Sequence, residues 1–285
     1  MDVPLSTPHR SINARQDIGD SLRKDRFCFS SASLNGLHTT LNQDCFACRS
    51  PYFFAVADGV GGGALGEVAS AILVLRLGEL QAPHPDAVAQ ALKDADQEIS
   101  QRMEQEGQGP GATVGAAVWL IDAKTSTWLA MTVGDCKVMV AARSGLTWRI
   151  RWESPNQSYA HCGLTPPLGV SADSPANMVG CGMPLPPLIR PITLAQGERI
   201  ILCSDGFYTA FNDAQLQELL KQTPQPLSMS SAQIWCEQAQ QLGALDDVTV
   251  VLVEQALAPT VASSGLWALA FLSVTVMVFL MAQVW

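Results

Sequence analysis

The chain has 285 residues, 48% hydrophobic and only 15% charged, with a formal net charge of −9. An apolar composition without a long polar tract excludes intrinsic disorder, and 26 acidic against 17 basic residues exclude nucleic-acid binding by bulk electrostatics. The length suits one or two domains, a single large α+β domain included, and no charged side chain follows Glu254.

Residues 1–26 are polar and unpatterned and read as an N-terminal extension. FCFSSASL and DCFACRSPYFFAVA follow as strand-like runs broken at Asn35-Gly36 and Ser50-Pro51. The glycine-rich turn DGVGGGALGE leads into a helix from about Ala64 to Leu80, and Val88, Ala91, Leu92, Ala95 and Ile99 keep helical spacing within Pro83–Glu106. TVGAAVWLID, STWLAMTVGD and CKVMVAAR have the spacing of an antiparallel meander. Residues 144–197 are proline-rich and read as irregular; GERIILCSDGF is a turn and a buried strand. Helices over about 213–222 and 229–241 precede the last strand, VTVVLVE. Strands, then helices, then strands again predict an antiparallel α+β sandwich, with a domain over 27–254.

Beyond it, residues 255–265 make a short tether, and 266–285 read LWALAFLSVTVMVFLMAQVW. Twenty such residues form a helix ~30 Å long, the thickness of a bilayer's hydrocarbon core, with Trp267 and Trp285 near its ends as interfacial anchors. The N-terminus lacks the apolar run of a secretory signal, so the expected topology is a single C-terminal span with the large domain in the cytoplasm. Eight cysteines lie in apolar contexts; Cys45 and Cys48 form one CxxC, which without a second pair reads as core packing rather than zinc.

The chemistry lies in the placement of aspartate. Asp58 ends FFAVAD, Asp135 follows MTV-Gly134, Asp205 ends IILCS, and Asp246-Asp247 precede VTVVLV. Each Asp-Gly pair reads either as a turn signal or as a carboxylate delivered to a strand end. Carboxylates gathered there repel one another and call for a divalent cation, and oxygen-only ligands select Mg2+ or Mn2+.

NQD (42–44), VADGVGGGALGEVAS (56–70), GAT (111–113), VGDCK (133–137), LTPPLG (164–169), LCSDGF (202–207) and LDDVTVV (245–251), in that order, resemble the metal-dependent Ser/Thr protein phosphatases. These are the type 2C-like enzymes, and the bacterial stand-alone branch is the most similar. The resemblance implies a β-sandwich flanked by helices on both sides. It also implies that Asp58 bridges two metal ions, that Gly59 gives its carbonyl to one, and that Asp205 and Asp246 hold the other. Asp44 would act through a water, and Asp135 with Asp205 would bind a third ion. The catalytic residues are then Asp58, Asp205 and Asp246, and hydroxide shared by two Mn2+ or Mg2+ ions attacks phosphorus in line. Cys203 reads as a core thiol.

The pattern is broken in four places. Thr39, with His38 beside it, stands where relatives often carry a phosphate-clamping Arg, and Val60 where they carry His or Met. Asp247 replaces the usual Asn, either tightening metal binding or facing solvent, and Cys136-Lys137 replace Ser-Arg. The reading is a membrane-tethered phosphatase acting on phosphoserine or phosphothreonine proteins and opposing a Ser/Thr kinase, with no nucleic-acid partner. Its rival is a catalytically weak phosphoprotein-binding scaffold on the membrane, suggested by the uncharged Thr39.

Overall fold

The strand runs of the sequence pair antiparallel throughout. The computed structural model describes residues 27–37, 39–60, 65–107, 111–145 and 147–255. In chain order these form β1 (Phe27–Leu34), β2 (Cys45–Arg49), β3 (Phe53–Gly59), α1 (Gly66–Gly78), α2 (Pro85–Gln105), β4 (Thr113–Asp122), β5 (Thr127–Val133), β6 (Lys137–Ser144), β7 (Thr147–Glu153), α3 (Tyr159–Cys162), β8 (Leu188–Thr193), β9 (Arg199–Cys203), α4 (Asp205–Tyr208), α5 (Asp213–Gln222), α6 (Ser231–Gln241) and β10 (Val248–Gln255). One sheet has the order β1-β10-β9-β6-β7 and the other β2-β3-β4-β5-β8.

Three apolar layers stack through the molecule, which is why β3 reads as an unbroken apolar run rather than an alternating one. Phe54 and Val56 face the opposing sheet, where Val138, Leu202, Val251 and Val253 meet them. Phe53, Ala55 and Ala57 face the other way, onto Leu73 and Leu77 of α1 and Leu92 and Ile99 of α2. On the far side, Ile201, Cys203, Val250 and Leu252 pack against Leu219, Trp235 and Cys236 of α5 and α6. The helix–sheet–sheet–helix architecture follows directly. Helix ends match their local chemistry: Pro85 opens α2 behind the His84 cap, and Asn212 and Gln215 form a capping box on α5.

The region 144–197 is not wholly irregular. In β7, Trp148, Ile150 and Trp152 alternate with Arg149 and Arg151, the period of a strand; a register shift at Val140/Ala141 then sends Trp148 and Ile150 to the α5–α6 side and Trp152 to the inter-sheet core. β8 contains Pro191, which is tolerated because β8 is an edge strand, bonded only to β5. The prolines and glycines of 154–187 concealed both. The CxxC of β2 is separated by the strand's own period: Cys45 packs toward the helices and Cys48 toward the opposing sheet. Burial pushes their thiols up to about 11 and about 12, and both are free.

The extension 1–26, the tether beyond Gln255 and the apolar stretch 266–285 lie outside the described residues. Among the described residues no helix is long and apolar enough to cross a membrane.

Candidate active site

Register brings the aspartates together. Val250 of β10 lies opposite Cys203 of β9, and Cys203 lies opposite Lys137 of β6. Asp205 and Asp135, each two residues beyond Cys203 and Lys137, and Asp246, two residues before β10 begins at Val248, therefore gather at one end of the first sheet. In the second sheet Cys45 lies opposite Ala57, so Asp44 falls beside Asp58. Stacking the sheets closes the cluster: Asp58 feels the charges of Asp44, Asp205, Asp135 and Asp246.

The electrostatics are those of carboxylates without counter-charge. Burial first, and then those four neighbours, hold the Asp58 carboxyl well above the ordinary carboxylate range. Asp44 is pushed up to about 7 by burial, against hydrogen bonds from Thr249 and Ser204. Asp135 is pushed up to about 7 by burial and by Asp205. Asp205 is raised by burial and by Asp246, while a side-chain hydrogen bond with Asp58 opposes the rise. Among the described residues no Lys or Arg pairs with any of the five. One oxygen each of Asp44 and Asp205 is enclosed without a hydrogen-bond partner. Unpartnered buried carboxylate oxygens are costly unless protonated or bound to a cation, so this donor set fits hard divalent ions. Among the described residues no three or more His, Cys, Asp or Glu side chains close into a ready-made cage.

The glycines decide between turn and close approach. A Cβ on Gly59 would lie 2.4 Å from the carbonyl carbon of Gly66, and one on Gly206 would lie 2.2 Å from the Asp247 carbonyl oxygen. Neither has a positive φ, so close approach of backbones, and not a turn, requires glycine there. Gly134 is different: its φ of 82° places it in the left-handed region as well. The Gly59 N–H donates to the Gln43 carbonyl at 3.2 Å, and the Thr113 hydroxyl donates to the Asp58 carbonyl at 2.6 Å.

The family described as "Protein phosphatase 2C" matches residues 38–244. The chain belongs to the protein phosphatase 2C family. It is 26% identical over 237 residues to the serine/threonine protein phosphatase PstP of Mycobacterium tuberculosis, covering 79% of this chain but 44% of PstP. The chain thus spans under half the length of that relative. The structure of the PstP catalytic domain in complex with two manganese ions superposes with a TM-score of 0.67 at 24% identity, over 81% of this chain and 99% of that one. PppA, a regulatory component of the T6SS in Pseudomonas aeruginosa, gives 0.65 at 21%, over 81% and 98%. At these identities the two structures establish the fold.

In this protein phosphatase 2C chain the four departures resolve as follows. Asp247 does not face solvent: it is 2% exposed and accepts hydrogen bonds from Gly36 N–H, the Thr39 hydroxyl and Gln43 N–H, and its charge reaches the cluster at Asp44. Thr39, at the position of the phosphate-clamping arginine, is thereby engaged; His38 lies outside the described residues. Val60 packs at the margin of the inter-sheet core. Cys136 is buried in that core, and Lys137 pairs with Glu153 at 3.1 Å beneath the Tyr208 ring. Cys203 is fully buried, and burial holds its thiol far up, so it is a core thiol. Ser204 was not singled out in the sequence. Its hydroxyl donates to Asp44 at 2.8 Å and accepts from the Thr249 N–H at 3.0 Å. It lies within the LCSDGF motif, but its partners are distant in sequence.

The electrostatics set a pH dependence. Unfolded, Asp44 and Asp135 lose their protons near 3.8; folded and metal-free, they keep them to about 7. Between those values the unfolded chain binds fewer protons, so metal-free stability falls as pH rises. The thermal midpoint of EDTA-treated protein is expected to be lower at pH 8 than at pH 5.5, and added Mn2+ to raise it more at pH 8. A metal-free midpoint that climbs over this interval contradicts the arrangement.

Proposed function

We propose that this chain is a metal-dependent serine/threonine protein phosphatase, anchored in a membrane by residues 266–285 with its catalytic domain, 27–254, in the cytoplasm. The observation that carries the reading is the pair of enclosed, unpartnered oxygens on Asp44 and Asp205, within a carboxylate cluster that no Lys or Arg among the described residues pairs with. The Mn2+-bound PstP catalytic domain supports it, sharing this fold. Asp58, Gly59, Asp205 and Asp246 would hold two Mn2+ or Mg2+ ions. Asp135 and Asp205 would hold a third, and Asp44 would act through a water. When bound, the ions acidify water toward neutrality and neutralise charge on the phosphoryl oxygens.

Around that chemistry the protein's own residues hold geometry. Asp58 sits centrally, at the junction of the two sheets, and its backbone carbonyl is held by Thr113. Ser204, at the end of β9, orients Asp44 from the opposing sheet. No cysteine is exposed as a nucleophile here, since Cys136 and Cys203 are buried in packing layers. Phosphoserine and phosphothreonine proteins are the substrates on this reading, and a Ser/Thr kinase acts in opposition. The scaffold alternative draws only on Thr39, and a binding module without cations has no use for so many uncompensated carboxylates.

The full chain is expected in the membrane fraction and, in detergent, to release phosphate from a phosphothreonine peptide only with Mn2+ or Mg2+. Recovery in the soluble fraction overturns the anchor; turnover that survives EDTA overturns the metal site.

A further inference from the structure

Asp247 lies next to Asp246, yet its carboxylate oxygens are taken up by donors from the chain. One oxygen accepts from Gly36 N–H at 2.9 Å and from the Thr39 hydroxyl at 2.5 Å; the other accepts from Gln43 N–H at 2.7 Å. All three donors come from the loop between β1 and β2, so one buried carboxylate fastens that loop along its length. The loop is also pressed onto the chain before β10: a Cβ on Gly36 would lie 2.3 Å from the Leu245 carbonyl oxygen and 2.4 Å from the Asp246 carbonyl carbon.

Each end of this tie reaches a candidate metal ligand. The Asp247 N–H donates to the Asp246 carboxylate at 2.8 Å. Gln43, held by Asp247, offers its carbonyl to the Gly59 N–H at 3.2 Å and to the Ser70 hydroxyl at 2.7 Å. Asp44 is the next residue, and Ser204, which donates to it, also lies 3.3 Å from the Asp247 carbonyl. Gly206, following Asp205, rests against that same carbonyl. Asp247 therefore touches the supports of Asp44, Gly59, Asp205 and Asp246 without being one of them.

We propose that Asp247, together with Thr39, is a positioning residue that sets the spacing of the metal ligands through the loop between β1 and β2. The inference rests on the metal-site reading above. A carboxylate is needed because donors approach both oxygens; asparagine has a single acceptor oxygen, and its amide would set N–H against an N–H of the loop. Groups that orient ligands in this way act on metal affinity, and their loss typically weakens it about 10- to 100-fold.

The test is Mn2+ binding to the full chain in detergent by calorimetry, with the thermal midpoint measured in parallel. Asp247→Asn is expected to weaken Mn2+ binding by about tenfold or more, Thr39→Val by a smaller factor, and Thr39→Ser to match the wild type by restoring the hydroxyl. A purely structural role would lower the midpoint and leave the affinity alone. Folded Asp247→Asn with wild-type affinity overturns the proposal. If that variant does not fold, equal affinities for Thr39→Val and Thr39→Ser overturn it instead. A wild-type chain that binds no Mn2+ overturns the metal-site reading, and this inference with it.

Discussion

Asp205→Asn is expected to lower Mn2+-dependent turnover of a phosphothreonine peptide by at least about a thousandfold. The substitution is nearly isosteric and removes one charge from the cluster. Its side chain opens α4, just past β9, with one oxygen enclosed and unpartnered, so no existing ion pair is broken. What is lost is a ligand: electrophilic stabilisation of a phosphoryl group by a bound cation amounts to several kcal/mol, and each ~1.4 kcal/mol is a factor of ten in rate. A second readout separates this from unfolding. In the metal-free protein Asp205 stands among like charges that raise its own carboxyl, so Asp205→Asn should leave the EDTA-treated thermal midpoint unchanged or higher. Undiminished turnover in a folded variant removes Asp205 from the metal site.

Arg199→Met should cost about 3–5 kcal/mol of stability with little change in turnover. Arg199 of β9 and Glu254 of β10 are partners in register, both fully enclosed, with Nε to Oε2 at 2.6 Å. The guanidinium also donates to the carbonyls of Leu220, Thr223 and Pro224 and lies 4.5 Å over the Trp148 ring. It thus satisfies orphan carbonyls at the end of α5 and fastens that helix to the sheet. Its loss strands Glu254, whose carboxyl burial already raises and whose other oxygen has no partner. The double variant Arg199→Met/Glu254→Met should recover part of the loss, since replacing both members of a buried pair is far less costly than replacing one. Urea unfolding followed by tryptophan circular dichroism measures both. Because Arg199 begins β9 and the cluster lies beyond its other end, turnover well below the midpoint is expected to hold. A loss under about 1 kcal/mol would show the pair to be dispensable.

Much of the fold was legible in the sequence because its signals are local. The apolar runs of β3, β4, β5 and β9 and the helical spacing of α2 need only a few neighbouring residues to read, and the paired sheets follow that reading. β7 was missed although its Trp/Arg alternation is equally local, because the prolines and glycines after it dominated the surrounding composition. Side chains that depend on distant partners were less legible. Cys45 and Cys48 read as core thiols, but only the pairing of β2 assigned them to opposite faces, in two different cores.

The site divides in the same way. The sequence by itself determined that carboxylates stand at the ends of apolar strands beside glycine, and its ordered motifs pointed to the family. Only the tertiary structure decided what neighbouring carboxylates do. Asp246 and Asp247 are adjacent and chemically identical; one is exposed beside the cluster and the other is buried under three donors from residues 36–43. Covalent neighbours share a position in the chain but not a direction in space. Direction is set by partners about 200 residues away, whose arrival depends on how the two sheets stack.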